Sequence, residues 1–237
     1  MKKIILSASA LLIASSLIFT SCKKDENTAP EITLNGDASV TASLQGTYTD
    51  AGATAEDAED GSLTVTSDAS STNPNMAQAG TYTITYSATD ADGETATATR
   101  TVIVQNDAYY LAGTYGCTET PGSTAWSQSI SVSSTVNNEI TFSKFANYQS
   151  NSGIKARVVT VGSDEYVRLT PSTQTATAIG TTACNHTFTA SATDGAKITL
   201  VSGKYAFSIK FSDEQTGGGA GCTPTAAVPY EDAFIQQ

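Results

Sequence analysis

Gly80-Thr81-Tyr82-Thr83-Ile84-Thr85-Tyr86-Ser87-Ala88 is the stretch from which the fold can be read. Tyr82, Ile84, Tyr86 and Ala88 share one parity, while the threonines and Ser87 take the other. That is the two-residue period of a strand with one buried face. Asp90-Ala91-Asp92-Gly93 supplies a turn, and Thr95 to Val104 is predicted to return as the partner strand. Arg100 has the parity of Val102 and Val104, so a bulge or an edge position is predicted there. Ile32-Leu34, Val40, Tyr48 and Leu63-Val65 supply the other strands of a module spanning about 30–105.

The remainder has the same texture. Thr and Ser are frequent, Gly punctuates the chain, and no long 3.6-residue period follows the N-terminal stretch, so the chain is predicted to be all-β. In the second module, 106–237, eight strands are predicted near 110–118, 125–134, 138–145, 154–161, 164–170, 183–191, 196–201 and 204–212, with a C-terminal tail beyond them. Tyr205-Ala206-Phe207-Ser208-Ile209-Lys210-Phe211 alternates most cleanly. Eight short antiparallel strands suit an up-and-down β-barrel, filled by side chains or holding one small ligand. A second β-sandwich is the alternative.

Two resemblances sharpen this. Gly80-x-Tyr82-x-Ile84 resembles the F strand of an immunoglobulin-like (Ig-like) sandwich, with Tyr82 as corner tyrosine and Ile84 where antibody domains carry cysteine. With Ile32-Thr-Leu-Asn-Gly36, Tyr48-Thr-Asp-Ala-Gly-Ala-Thr-Ala55 and Asp60-Gly61, the module is similar to the bacterial Ig-like repeat named after a pesticidal crystal protein. The resemblance implies a β-sandwich used as a spacer or adhesive module. Gly113-Thr114-Tyr115 resembles the lipocalin Gly-x-Trp signature, with Tyr for Trp. With Ile140-Thr-Phe142-Ser-Lys-Phe145, Leu169-Thr-Pro171 and Gln174, the second module is similar to lipocalin-like domains of Bacteroidetes lipoproteins.

The N-terminus carries an address. Lys2 and Lys3 precede an apolar run, Ile4 to Phe19, which small residues and Cys22 close. The run is shorter than the roughly 20 apolar residues of a membrane-spanning helix. It resembles a bacterial lipoprotein signal, which implies cleavage of 1–21, lipid on Cys22 and a tether at 22–29. Phe19 stands where such signals usually have leucine. Cys22-Lys23-Lys24-Asp25-Glu26 is similar to the export signal of surface-exposed lipoproteins, so the expected location is the outer membrane, facing outward.

Charge is distributed unevenly. Asp25 to Thr99 holds 13 acidic residues and no Lys or Arg, whereas Arg100 to Gln237 holds 10 acidic and 8 basic residues. The acidic balance argues against nucleic acid or anionic head groups as partners. Cys117, Cys184 and Cys222 allow one disulfide in an exported chain, and spacing does not choose the pair. No motif implies a cofactor.

Chemistry-bearing motifs are sparse. His186 is the sole histidine, read as a partly exposed strand residue, and no GxSxG elbow accompanies it. Glu56, Asp57, Glu59 and Asp60 share one loop, read as a solvated charge run rather than a glycosidase pair. With Asp50, Asp90 and Asp92 they are weak calcium candidates, although Asp90-x-Asp92-Gly93 is too short for an EF-hand loop and reads as a hairpin turn. Trp126, Tyr109, Tyr110 and Tyr148 lie near predicted strand ends, where aromatic rings could stack on sugars. The expected function is that of a non-catalytic surface lipoprotein, its first module a spacer and its second binding a glycan, small molecule or surface protein. A purely structural or adhesive envelope component is the alternative.

Overall fold

The computed structural model describes residues 27–122, 125–146, 148–177, 184–190, 195–218, 222 and 224–237. Cys22 lies outside them. The first module contains β1 (Glu31–Leu34), β2 (Ser39–Ser43), β3 (Ala53–Asp57), β4 (Gly61–Leu63), β5 (Thr66–Ser67), β6 (Gly80–Thr89) and β7 (Thr95–Gln105). They form two sheets, ordered β1-β3-β4 and β2-β7-β6-β5, with β2 parallel to β7. Leu44, Ile84, Tyr86, Val102 and Val104 fill the space between, as the alternation requires. Tyr82 Oη donates to the Gln78 carbonyl at 2.7 Å, the hydrogen bond that defines a tyrosine corner.

Arg100 marks a change along β7. The β6–β7 register runs unbroken from Gly80↔Val104 to Thr89↔Thr95, which excludes a bulge, while the ladder with β2 begins only at Thr101, so Arg100 stands where β7 is still an edge on that side, one of the two expected positions. Its side chain points inward and is 1% exposed. The guanidinium reaches Asp50 at 2.5 Å and Tyr86 Oη at 2.6 Å, and donates to the carbonyls of Asn35, Asp37 and Gly52. A buried charge is tolerated where an opposite charge and acceptors surround it.

The second module contains β8 (Gly113–Thr120), β9 (Ala125–Val132), β10 (Glu139–Phe145), β11 (Tyr148–Val161), β12 (Asp164–Leu169), β13 (Thr173–Thr177), β14 (Cys184–Ala190), β15 (Ala196–Lys197), β16 (Thr199–Val201), β17 (Lys204–Gly218) and β18 (Val228–Gln236). These eleven strands form one sheet, ordered β13-β14-β17-β18-β8-β9-β10-β11-β12-β15, with β16 on β17. The sheet curls into a half-barrel rather than a two-sheet sandwich. Gln174 ties its margins together: its amide accepts from the Lys155 N–H at 2.8 Å and donates to the Lys155 carbonyl at 2.6 Å, imitating a ladder step between β13 and β11.

The expected C-terminal tail is a strand at the centre of this sheet. β18 pairs with β17 from Ala206↔Ile235 to Asp213↔Val228 and with β8 from Glu231↔Thr120 to Gln236↔Tyr115. The ladder with β8 begins two residues beyond Pro229, whose missing N–H therefore leaves no gap there. Phe142, Phe145, Phe188, Phe207, Phe211 and Phe234 are all buried in one core, at 4% exposure or less. Their rings contact one another, as in the Phe145–Phe211 pair at 4.8 Å between centroids. The centre of the half-barrel is therefore solid.

Asn106 docks the modules. Its Nδ2 donates to the carbonyls of Ser133, Val136 and Glu139, and its Oδ1 accepts from the N–H groups of Ala108 and Asn138. The Ala79 N–H donates to the Ser134 carbonyl at 2.7 Å, adding a direct bond between modules.

Candidate functional site

The aromatic candidates do not converge. Tyr109 and Tyr110 lie on a 3₁₀ turn, Tyr109–Leu111, at the junction. Tyr109 is 54% exposed and borders a groove of about 300 Å³ with Ile103 and Val132. Tyr110 packs on Tyr205 at 4.7 Å and donates to Glu165 at 2.6 Å, so it braces the core instead of facing solvent freely. Trp126 opens β9 and Val132 closes it, which puts Trp126 roughly 20 Å from Tyr109's groove. The indole is half-buried against the core. Tyr148 opens β11, and its side chain lies outside what is described.

The acidic candidates are occupied locally. Asp90 accepts from the N–H groups of Gly93 and Glu94 and from Asn27 Nδ2, capping the hairpin turn. Asp60 accepts from the Ala91 N–H. Asp57 accepts from the N–H groups of Glu59 and Asp60, and Asp50 is the partner of Arg100. Among the described residues no group of His, Cys, Asp and Glu has metal-binding geometry.

A polar layer that no motif announced lies inside the half-barrel. His186 is buried rather than partly exposed, and its Nδ1 meets Asp213 Oδ1 at 2.9 Å. Asp232 is fully buried, accepts from the Ala146 N–H at 3.1 Å, and sits opposite Glu119 in the β18–β8 ladder. Burial, reinforced by the Glu119 charge, pushes the Asp232 carboxyl up to about 7. Burial also raises Asp213 and Glu119, in the latter case helped by the Asp213 charge. Cys184 and Cys222 form the disulfide, and Cys117 is a free, buried thiol raised by burial to about 12. Such a thiol is inert.

Where β12 and β15 approach β17, the curl leaves a cavity of about 550 Å³. Val167, Leu169, Ala196 and Ile209 form its apolar floor, each at most 6% exposed. Arg168, Lys197 and Lys210 stand at the same cavity, with the hydroxyls of Ser172 and Ser208. Gly195 has φ +79°, and a Cβ there would lie 2.5 Å from Arg168 Cγ and 2.7 Å from the Val167 carbonyl oxygen. Only glycine permits this approach of backbone to the arginine stem. The volume falls in the usual range for small-ligand sites. Sequence reasoning missed these residues; the available signal was the outward parity of Arg168, Lys197 and Lys210 beside buried aliphatic neighbours.

These features define an Ig-like sandwich docked to a curled β-sheet with a cavity at its seam. Residues 32–104 match the family described as bacterial surface protein, Ig-like domain, in keeping with the sandwich the first module forms. No curated protein matches the chain in sequence. Among solved structures, a lipoprotein of Bacteroides thetaiotaomicron is similar at 15% identity and TM-score 0.29, with 88% of this chain and 100% of that chain covered. The structure of CBM51-2 in complex with GlcNAc and INT domains from Clostridium perfringens ZmpB is similar at 16% identity and TM-score 0.25. It is matched over 87% of this chain and 44% of its own length. At these scores neither likeness carries a functional conclusion.

Proposed function

We propose that this chain is a non-catalytic cell-surface lipoprotein, anchored through Cys22 to the outer membrane. In this reading the acidic Ig-like module is a spacer and the second module binds an extracellular ligand, a glycan or another small molecule. The observation that carries it is the seam cavity, a walled, part-apolar recess on a module whose centre is otherwise packed with phenylalanine. The surface class of residues 32–104 supports the location and the spacer role. Radiolabelled palmitate incorporation lost in Cys22→Ala tests the anchor. Glycan-array and small-molecule screens with the full chain after Cys22 test binding, and silence in both would sink it.

One observation favours the structural alternative. Among the described residues, six buried phenylalanines fill the half-barrel where a lipocalin-like chamber would lie. Reproducible self-association without any ligand, together with impaired cell attachment on deletion, would favour that reading.

A further inference from the structure

The seam cavity has a polarity its ligand must match; this inference rests on the reading that the second module binds a ligand. Of the seven Lys and Arg after residue 106, three line the seam cavity, Arg168, Lys197 and Lys210, and Arg157 lies one strand away on β11. Arg157 and Arg168 are directly opposed across β11 and β12. Like charges at opposed positions repel, and Glu139, opposite Arg157 on β10, offsets part of that repulsion. In a chain with net charge −11, this is a local reversal of sign.

The present partners of the two cavity lysines are exchangeable. Lys197 meets Asp164 at 2.7 Å and Lys210 meets Glu231 at 3.8 Å, with all four side chains between 41% and 63% exposed. Ion pairs so exposed contribute little, so an incoming anion displaces them at small cost. Beneath the cations the floor is aliphatic, built from Val167, Leu169 and Ile209, and no aromatic ring lines the cavity among the described residues. A neutral sugar has nothing to stack on there.

We infer that the seam cavity takes a small amphipathic organic anion, its carboxylate or sulfate on Arg168, Lys197 and Lys210 and its apolar body on Val167, Leu169 and Ile209. Arginine offers the planar fork that a carboxylate or sulfate accepts, and the two lysines add point charges.

Isothermal titration calorimetry on the full chain after Cys22, with sodium octanoate, octyl sulfate and neutral octyl glucoside below micelle formation, tests this. Both anions should bind, and the glucoside at least about tenfold more weakly, the equivalent of one charged hydrogen bond. Raising salt toward 1 M should weaken the anions, since the screening length falls to about 3 Å. Arg168→Gln, and separately the exposed pair Lys197→Gln/Lys210→Gln, should each lower anion affinity about tenfold while thermal melting stays unchanged. The lysine pair keeps the test open should Arg168→Gln disturb β12. Equal binding of the glucoside, anion affinity unmoved by the lysine pair, or no anion binding at low salt would each overturn the inference. A positive glycan or small-molecule screen without anion binding would leave the binding function standing and remove only its ligand class.

Discussion

Removing Asp50 should destabilise the Ig-like module about as much as truncating one of its buried aliphatic side chains. Asp50 Oδ1 accepts from Arg100 at 2.5 Å, Tyr86 Oη at 2.6 Å and Tyr48 Oη at 3.2 Å. The arginine side chain is 2% exposed and the aspartate 17%. Asp50→Ala leaves a buried guanidinium without its counter-charge, a loss worth about 3–5 kcal/mol where burial is complete. Asp50's partial exposure puts the expected loss near the lower bound, about 3 kcal/mol. A module of this size has roughly 4–11 kcal/mol in total, so the change removes a large share. Arg100→Met should cost a similar amount, because it strips donors from the carbonyls of Asn35, Asp37 and Gly52 as well as from Asp50. The double substitution should cost about 2 kcal/mol less than the two singles added, since neither charge remains to be buried alone.

The assay must separate the modules, and composition helps. Trp126 is the sole tryptophan and lies in the second module, so its fluorescence in urea follows that module alone. Hydrogen exchange of peptides from β6 and β7 follows the first. Acid titration adds an independent arm. Burial would raise the Asp50 carboxyl, but hydrogen bonds from Tyr86, Arg100 and Tyr48 hold it below the ordinary carboxylate value. Its contribution is therefore complete above the unfolded-state pKa and disappears as pH falls through the folded one, a step that Asp50→Asn should abolish. A loss under about 1 kcal/mol for Asp50→Ala, or strict additivity of the double variant, would refute the account of a coupled buried pair.

Replacing Cys184 and Cys222 with serine opens a loop of 38 residues, and chain-entropy reasoning puts the loss at about 4 kcal/mol, readable as a lower urea midpoint of Trp126 fluorescence. Asn106→Ala leaves the Ser133 and Val136 carbonyls and the Ala108 N–H without its side chain; about 2 kcal/mol should be lost, and small-angle scattering should broaden as the modules uncouple. Asp232 retains its proton up to a pH of about 7 in the folded module while the unfolded chain gives it up nearer 4. The folded-state pKa is thus raised, and stability should fall as pH climbs through that window, by on the order of 4 kcal/mol at most. Asp232→Asn should flatten the profile, and a parent protein equally stable at both ends of the window would contradict the burial argument.

The two-residue period of β6 and β7 was readable because each strand has one wet and one dry face, and the tyrosine corner was readable because its geometry is local: Tyr82 bonds a carbonyl only four residues away. The burial of Arg100 was not readable, for the opposite reason. Its partner Asp50 lies 50 residues upstream, and nothing local announces that an inward charge will be met. β18 reads as a tail because Pro229 and the acidic pair Glu231-Asp232 break the apolar alternation, yet Asp232 faces inward, where burial raises its carboxyl to about 7. β13 was missed because its closure depends on the Gln174 side chain rather than on a hydrophobic face. The seam cavity draws residues from β12, β15 and β17, which only the curl brings together. The aromatic residues attracted attention as stacking platforms, but Tyr110 serves packing and Trp126 sits at the other end of β9 from Tyr109.

The placement of charge explains why the proposed binding falls at the seam. A lysine or arginine facing the phenylalanine core would lose its hydration without compensation, so the cations of β11, β12, β15 and β17 take outward parity. On an ordinary stretch of sheet, outward cations merely face water. At the seam the same parity sets them beside Val167, Leu169 and Ile209, where the curl leaves core residues reachable. Charge and apolar surface are then adjacent without either being buried at the other's expense. The acidic first module, with 13 carboxylates between Asp25 and Thr99 and no basic residue in that span, repels an approaching anion, whereas in the proposed reading the basic side chains at the seam attract it. An anion's association rate should therefore fall with ionic strength more steeply than a neutral analogue's, because the steering field is screened within about 10 Å at 0.1 M salt.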